Sequence, residues 1–364
     1  MRVLVTGGAG YIGSHTVKAL IEAKHYPVVL DNLVNGNRYI AEKFPNIPFI
    51  VGDVGDAELI KRVIFGRHEK LVGSIHEGAM IEGVLHFAAY AYVGESINCP
   101  LKYYKNNVAA SINLLDIICS EEVVKKRKSL DPIPLVFSSS CATYGIPKDL
   151  PITEESIQNP INPYGRSKLM IENMIKDLGL YSKLKSVILR YFNASGASPD
   201  ASIGEDHTPE THLIPLVIEA ALKSKEITIY GDDYSTKDGT CIRDYIHVCD
   251  LADAHVLAIN SLVKSFSKGE KNSLSKDCCK IYNLGNGSGY SVKEIISITE
   301  KISQNKIKSH ISTRRVGDPA ILVSSATKII QELGWKPKYP NIEDIIKHAF
   351  NWHKKNLWLF LNYK

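Results

Sequence analysis

The sequence predicts an α/β protein: a Rossmann-type doubly wound parallel sheet followed by a smaller mixed α/β C-terminal lobe. Three observations carry this. Short apolar runs recur through the first half, at 2–8, 27–33, 48–54, 83–89, 133–140 and 186–193. Helical stretches separate them, notably 14–23, 100–119 and 163–178. After residue 193 the alternation gives way to polar loops and mixed elements. Strand–helix alternation of this kind builds a parallel sheet with helices on both faces.

In chain order, "RVLVTGG" (2–8) is a β-branched run that ends in glycine. "SHTVKALIEA" (14–23) has helical periodicity, and "PVVLDNL" (27–33) is a second apolar run. Strand, turn, helix and strand fit within about thirty residues, the size of one βαβ unit. "PFIVGDV" (48–54), "GVLHFAA" (83–89), "IPLVFSSS" (133–140) and "SVILRYFN" (186–193) continue the sheet. Residues 66–80 read as a surface excursion. Segment 194–212 is polar and rich in turn formers. Beyond it the pattern predicts a helix near 213–224, a strand at 227–231 ("ITIYG") and a loop containing "DGTCIRDYIHV". A helix at 250–263, an exposed insertion at 264–280, a strand at 281–285 and helices near 291–303 and 324–333 complete it. The expected division is a nucleotide-binding domain over 1–193 and a substrate lobe over 194–364, with some segments returning to the first.

At 364 residues, 44% apolar and 23% charged, the chain has room for a large core and an ordinary soluble composition. The net charge of +5 is spread out, with one tight cluster, "KKRK" at 125–128. A nucleic-acid partner is therefore not expected. Seven cysteines without a C-x-x-C spacing, two of them the adjacent Cys278 and Cys279, fit free thiols in a reducing compartment. No metal site is expected. No apolar run approaches the ~18 residues a membrane span needs, and a strand begins almost at Met1, so no leader is expected. The expected location is the cytoplasm.

The first piece of chemistry is "TGGAGYIG", which sets Gly7, Gly10 and Gly13 between a strand and a helix. Glycines let the backbone turn tightly and approach a pyrophosphate, and the helix start offers N–H groups and partial positive charge. Asp31 follows eighteen residues after Gly13, at the end of the next strand. A carboxylate there accepts from a ribose diol and repels a 2′-phosphate, which favours NAD over NADP. Asp53, at the end of the third strand, is either a turn carboxylate or an acceptor for the adenine amine.

The second piece is "NPYGRSK" (162–168). Tyr164 opens a helix soon after "LVFSSS", and Lys168 lies one turn on, on the same face. A phenol has a reference pKa near 10, so bringing it close to neutrality needs about 4 kcal/mol of phenolate stabilisation. A neighbouring ammonium and a cationic nicotinamide together supply that. Such a phenolate removes a hydroxyl proton as hydride leaves the same carbon. Ser140 alone would be an ordinary strand-end serine. Beside Tyr164 and Lys168 it reads as a bridge between the phenolic and substrate oxygens.

"TGGAGYIG", "DNLVNGN", "HFAA", "YYKNNV", "FSSSCATYG", "NPYGRSK", "LRYFN", "DGTCIRDYIHV" and "RRVGD", in this order, resemble the extended short-chain dehydrogenase/reductase family, and within it the UDP-glucose (UDP-galactose) 4-epimerases. The resemblance spans roughly 1–355. It implies Tyr164 as base, Lys168 as the cation that tunes it and holds the nicotinamide ribose, and Ser140 as assistant. It implies cofactor contacts at Tyr11, Ile12, Asn32, Asn35, Gly36, Val54, Phe87, Ala88, Ala89, Asn106 and Phe192, besides Asp31 and Asp53. Nucleotide-sugar contacts are implied at Asn193, Leu213, Tyr230, Arg243, Arg315, Asp318 and Leu322. Guanidinium forks suit a diphosphate, and Tyr230 offers a ring face to uracil. Asp318 alternatively caps the turn that Pro319 opens. The implied reaction is 4-epimerisation of a UDP-sugar: hydride abstraction at C4, a 4-keto sugar, rotation of that sugar and return of hydride to its other face. A homodimer through helices 100–119 and 163–178 is implied as well.

Two departures bear on the substrate. Many family members carry lysine where this chain has Ala91, in "HFAAYAYVGES". "AYVGES" and "SCATYG" also resemble UDP-arabinose (UDP-xylose) 4-epimerases, which keeps a pentose open. Leu322 stands where the family varies between a small residue and tyrosine, and its intermediate size leans toward non-acetylated sugars. Nucleotide-sugar 4,6-dehydratases share the scaffold but need an acid just after the strand-end serine. This chain has Cys141, Ala142 and Thr143 there. A non-catalytic NAD sensor would commonly lose the tyrosine, which is present.

Overall fold

The computed structural model describes residues 1–267, 278–315 and 317–356. The expected insertion at 264–280 lies largely outside the described residues. Thirteen strands occur among those described: β1 (Arg2–Thr6), β2 (Tyr26–Asp31), β3 (Phe49–Val51), β4 (Gly83–His86), β5 (Leu135–Ser140), β6 (Ser186–Tyr191), β7 (Asn193–Ser195), β8 (Glu226–Tyr230), β9 (Ile242–His247), β10 (Cys279–Leu284), β11 (Gly289–Ser291), β12 (Lys308–Ser312) and β13 (Ile321–Leu322).

Seven of them form one sheet in the order β3-β2-β1-β4-β5-β6-β10. The pairs β1·β2, β1·β4, β2·β3 and β4·β5 are all parallel. β1, β4 and β5 are almost wholly buried because a parallel sheet is covered on both faces. That explains why these strands read as continuous apolar runs rather than alternating ones. One core cluster runs from Leu4 and Leu30 through Val84 and Leu135 to Ile188. The order of strands reverses between β1 and β4, and the carboxyl ends at such a switch point are where this architecture takes its ligand.

The chain forms two compact units that interleave along the sequence. The first comprises residues 1–145, 158–190 and 252–282; the second comprises 146–157, 191–251 and 283–364. The second contains β7, β9, β11 and β13 in a small mixed sheet and the parallel pair β8·β12. Its core packs the helix Leu213–Lys223 against Val292–Ser303 and Ile342–Lys355 through Ile214, Ile218, Ile295, Ile345 and Ile346.

The excursion at 66–80 is anchored rather than free-standing. Val72 and Ile75 are exposed, but Leu71 is fully buried in the main core and His76 is buried too. The stretch 100–119 is helical but broken in register: an α turn at Pro100–Tyr103, a π segment at Tyr104–Ala109, then α-helix to Cys119. No helix among the described residues is long and apolar enough to cross a membrane.

Candidate active site

The glycine loop is built by close approaches. Gly7 has φ +73°, and a Cβ there would lie 2.6 Å from the Ala88 amide nitrogen. β1 and the segment after β4 can therefore run side by side only if residue 7 has no side chain. A Cβ on Gly13 would lie 2.2 Å from the Gly7 carbonyl oxygen, so the helix Tyr11–Glu22 starts directly over the turn. Gly10 caps that helix without a side chain, so its first amides face outward at the switch point. Tyr11 buries its ring edge-on to His15, and Ile12 follows it in the first turn.

Asp31 closes the next side. Its Oδ2 accepts from the Ala9 amide at 2.9 Å and its Oδ1 from the Leu33 amide at 2.8 Å. Burial raises its pKa, and the two amides oppose that rise. A Cβ on Gly36 would sit 2.6 Å from Asp31 Oδ1, which explains the glycine after Asn35. Asn32 donates to Asp53 Oδ2 at 2.7 Å, and Asp53 Oδ1 accepts from the Gly55 amide at 2.7 Å. Both are exposed and tie the second strand end to the third. Val54 turns inward to the core. Phe87 donates its amide to Thr6 and tilts its ring over His255 at 4.6 Å; Ala88 and Ala89 continue from it. These groups together fit an extended dinucleotide: a cradle that a Cβ would fill, a helix start for the pyrophosphate, and an oriented carboxylate for a ribose.

The predicted proton-transfer groups are in the same unit. Asn162 caps the helix Pro163–Ser182 by accepting from the Gly165 amide at 2.8 Å, and Pro163 pre-sets the first turn. Tyr164 and Lys168 are both buried, at 6% and 2% exposure. The Lys168 ammonium donates to the Ser138 carbonyl at 2.7 Å and lies 6.0 Å from the Tyr164 ring centre. Its pKa is pushed down to about 7 by burial, against the pull of Glu172. Ser140 Oγ accepts from the Ala142 amide at 3.1 Å, which orients the serine at the end of β5. A Cβ on Gly165 would meet the Ala142 carbonyl at 2.4 Å. The tyrosine helix is therefore docked directly onto the turn that follows the serine.

Sequence reasoning missed the support beneath these groups. Glu172, one turn beyond Lys168 and fully buried, accepts from Ser139 Oγ at 2.6 Å and from Gln158 at 3.0 Å. It also pairs with Arg190, whose Nη2 lies 2.6 Å from Glu172 Oε2. Arg190 in turn donates to the Tyr144 hydroxyl at 2.9 Å. An arginine inside the buried run "VILRYF" and a glutamate four residues after Lys168 were the available signals. Asn107 was also missed. Asn106 donates to it at 2.9 Å, but Asn107 is the buried hub. It accepts from the Tyr90 amide, donates back to the Tyr90 carbonyl and reaches Ser167 on the tyrosine helix. It sits in the π segment, a distortion common at functional sites.

The predicted nucleotide-sugar residues gather within the second unit. Asn193 on β7 donates to the Asp244 carbonyl at 2.8 Å, and Leu322 on β13 is paired with Arg243 on β9. Arg243 and Asp318 form an ion pair. The Asp318 amide donates to the Arg315 carbonyl at 3.2 Å, so Arg315 belongs to the same turn. The Arg315 guanidinium lies 4.1 Å over the Tyr230 ring and covers one of its faces. Leu213 is the first residue of its helix and packs partly on the core. Phe192 is buried and donates its amide to the Leu284 carbonyl. Asp244, beneath Arg243, was missed. It is fully buried and accepts from Ser324, Asn286 and Gly287, so it fixes the β10–β11 loop and the segment after β13 at once.

A family model described as GDP-mannose 4,6 dehydratase matches residues 4–349. The chain is 45% identical over 357 residues to the UDP-glucose 4-epimerase of Halalkalibacterium halodurans, covering 98% of this chain and 96% of that one. Its fold is similar to the crystal structure of UDP-glucose 4-epimerase from Brucella ovis in complex with NAD, at TM-score 0.83 and 41% identity over 96% of this chain and 98% of that one. It is also similar to UDP-glucose-4-epimerase from Stenotrophomonas maltophila with bound NAD and formylated UDP-arabinopyranose, at TM-score 0.86 and 34% identity over 99% of each chain. Likeness of this depth runs the length of both partners in every comparison, and the chain belongs to the UDP-glucose 4-epimerase family.

Proposed function

We propose that this chain catalyses NAD-dependent 4-epimerisation of a UDP-sugar, with UDP-glucose and UDP-galactose as the pair. The observation that carries this is Tyr164, buried over the Lys168 ammonium and docked through Gly165 onto the turn after Ser140. Bound NAD supplies the reversible redox chemistry at C4 of the sugar. The protein's own part is proton transfer and anchoring. Tyr164 takes the 4-hydroxyl proton and returns it after the sugar has turned. Lys168 favours the phenolate, and Ser140 holds the substrate oxygen. Arg243 and Arg315 grip the diphosphate, so binding energy concentrates on UDP and the sugar stays free to rotate.

A 4,6-dehydratase reading, which the description of the family model raises, lacks its acid. Cys141, Ala142 and Thr143 follow Ser140, and the nearby Glu172 is held by Arg190, Ser139 and Gln158. A pentose substrate is supported by the resemblance of "AYVGES" and "SCATYG" and by the similar structure that contains a formylated UDP-arabinopyranose.

We also propose a homodimer through the helices near 100–119 and 163–178. Leu114, Leu115, Ile117 and Ile118 are spent on the core, whereas Leu101, Ile112 and Met170 are exposed and support the reading. Seven cysteines, none of them in a disulfide, support a cytoplasmic location.

The test is to incubate purified protein with UDP-galactose, UDP-N-acetylgalactosamine and UDP-arabinose separately and resolve the products by chromatography. Tyr164→Phe is expected to keep bound NAD and lose at least a thousandfold in turnover. Full activity in that variant would refute the role of Tyr164.

A further inference from the structure

Between the small sheet and the helix Leu213–Lys223, the sequence "GEDHTPETH" (204–212) folds four ligand-bearing side chains together. Glu205, His207, Glu210 and His212 each direct one oxygen or nitrogen to a common point, and those atoms all lie within 4.8 Å of one another. Glu205 is fully buried, His207 and Glu210 are mostly buried, and His212 is half exposed. No part of the epimerisation chemistry above uses them. We propose that these four residues form a binding site for a divalent transition metal of the zinc class, which clamps the 204–212 loop to the helix that begins at Leu213.

The donor set is two imidazole nitrogens and two carboxylate oxygens, the ligands that tetrahedral zinc prefers. Ligands about 2.0–2.2 Å from a tetrahedral ion stand roughly 3.4 Å apart. His207 Nδ1 is 3.3 Å from Glu205 Oε1 and 3.8 Å from Glu210 Oε2, and His212 Nδ1 is 3.7 Å from Glu210 Oε1. With one oxygen from each carboxylate, two separations in a ligand set already have about the required size: His207 Nδ1 to Glu205 Oε1, and either His207 Nδ1 to Glu210 Oε2 or His212 Nδ1 to Glu210 Oε1. His212 Nδ1 and Glu205 Oε1, hydrogen-bonded at 2.6 Å, have to open by less than about 1 Å. Glu210 is pre-oriented, because its Oε1 accepts from the Thr211 and His212 amides at 2.7 and 2.8 Å.

Charge balance permits the metal. Two buried carboxylates need two positive charges nearby, and one dication held by two neutral imidazoles provides them. Metal and protons compete for the same two ring nitrogens, so any proton on a ligating nitrogen leaves to solvent as the dication enters.

The experiment is calorimetric titration of the purified full-length chain with Zn²⁺ in two buffers of different ionisation enthalpy at pH 7. The expected result is one site of micromolar or tighter affinity, proton release on binding, and a higher Tm at saturating zinc. The double variant H207Q/H212Q keeps all seven cysteines, so binding at thiols would survive in it. It is expected to bind at least tenfold more weakly and to lose the Tm increase. H212Q alone changes the half-exposed ring, keeps the fold, and is expected to show the same tenfold loss. Undiminished binding in H212Q, or no binding by the wild-type chain, overturns the proposal.

Discussion

Gly165→Ala separates docking of the tyrosine helix from fold stability. The added Cβ would lie 2.4 Å from the Ala142 carbonyl oxygen, where ordinary contact begins at 3.4 Å. The obstacle is backbone and cannot swing away. Residues 140–143 are stiffened by the Ala142 amide on Ser140 Oγ and by Thr143 Oγ1 on the Ser140 carbonyl. The helix start must therefore retreat by about 1 Å, and Tyr164 retreats with it. A misplacement of that size costs on the order of 10²-fold in rate, about 2.7 kcal/mol of barrier. Stability changes far less. Alanine over glycine in a helix gains up to ~1 kcal/mol, and overpacking costs ~1–3 kcal/mol. The expected signature is a hundredfold drop in kcat with bound NAD retained and Tm moved by only a few degrees. Product chromatography with UDP-galactose gives kcat, and absorbance after denaturation gives NAD content. A kcat within threefold of wild type would show that the contact between this helix and the serine turn does not position the base.

Glu172→Gln strands the Arg190 guanidinium in the core and is expected to cost about 3–5 kcal/mol in urea unfolding; a loss under 1 kcal/mol would deny the pair its role. Gly13→Ala sets a Cβ 2.2 Å from the Gly7 carbonyl and should abolish co-purified NAD, read by absorbance, while a wild-type NAD content would refute the cradle. His207 has a pKa raised to about 10, because Glu205 and Glu210 outweigh burial. Its stabilisation is therefore complete below about 6.5, its unfolded value, and is lost as pH rises through about 10. Lys168 acts in the opposite sense, since its lowered pKa makes the fold more stable as pH rises from about 7 toward 10.5. The Tm difference between wild type and His207→Gln, in zinc-free buffer, cancels Lys168. It is expected to be largest below pH 6.5 and to close by pH 10, and a constant gap would refute the assignment.

How far these features were legible follows from the range of the forces that make them. β1 to β6 were readable because a parallel sheet buried on both faces demands uninterrupted apolar runs, a signal confined to each segment. Gly7, Gly13 and Tyr164–Lys168 were readable because the loop and the helix each hold their chemistry within a few residues. β9 was taken for loop. Its residues Ile242–His247 mix charge with apolar side chains, because Arg243 faces Asp318 while Asp244 ties down Ser324, Asn286 and Gly287. No local period survives when successive side chains answer to different distant partners.

The buried polar supports fail to announce themselves for the same reason. Glu172 and Arg190 are separated by eighteen residues and meet only because a helix and a strand cross. Each alone looks like an error in an apolar pattern. The physics makes such errors informative. A charge in a buried strand costs several kcal/mol unless a partner answers it, so Arg190 within "VILRYF" required an acid somewhere in the fold. Glu172 and Asp177 are the acids on the helix that also carries Lys168, and Glu172 is the one that answers Arg190. Reading misplaced charges as demands for partners, rather than as noise in the periodicity, leads from β6 to a search for a buried acid on a neighbouring helix. The same reading applies to "GEDHTPETH", where three acids and two histidines fall inside a segment that looked like solvent-exposed loop. Glu205 is instead fully buried, and a buried carboxylate among imidazoles has to be matched by protons or by a metal ion.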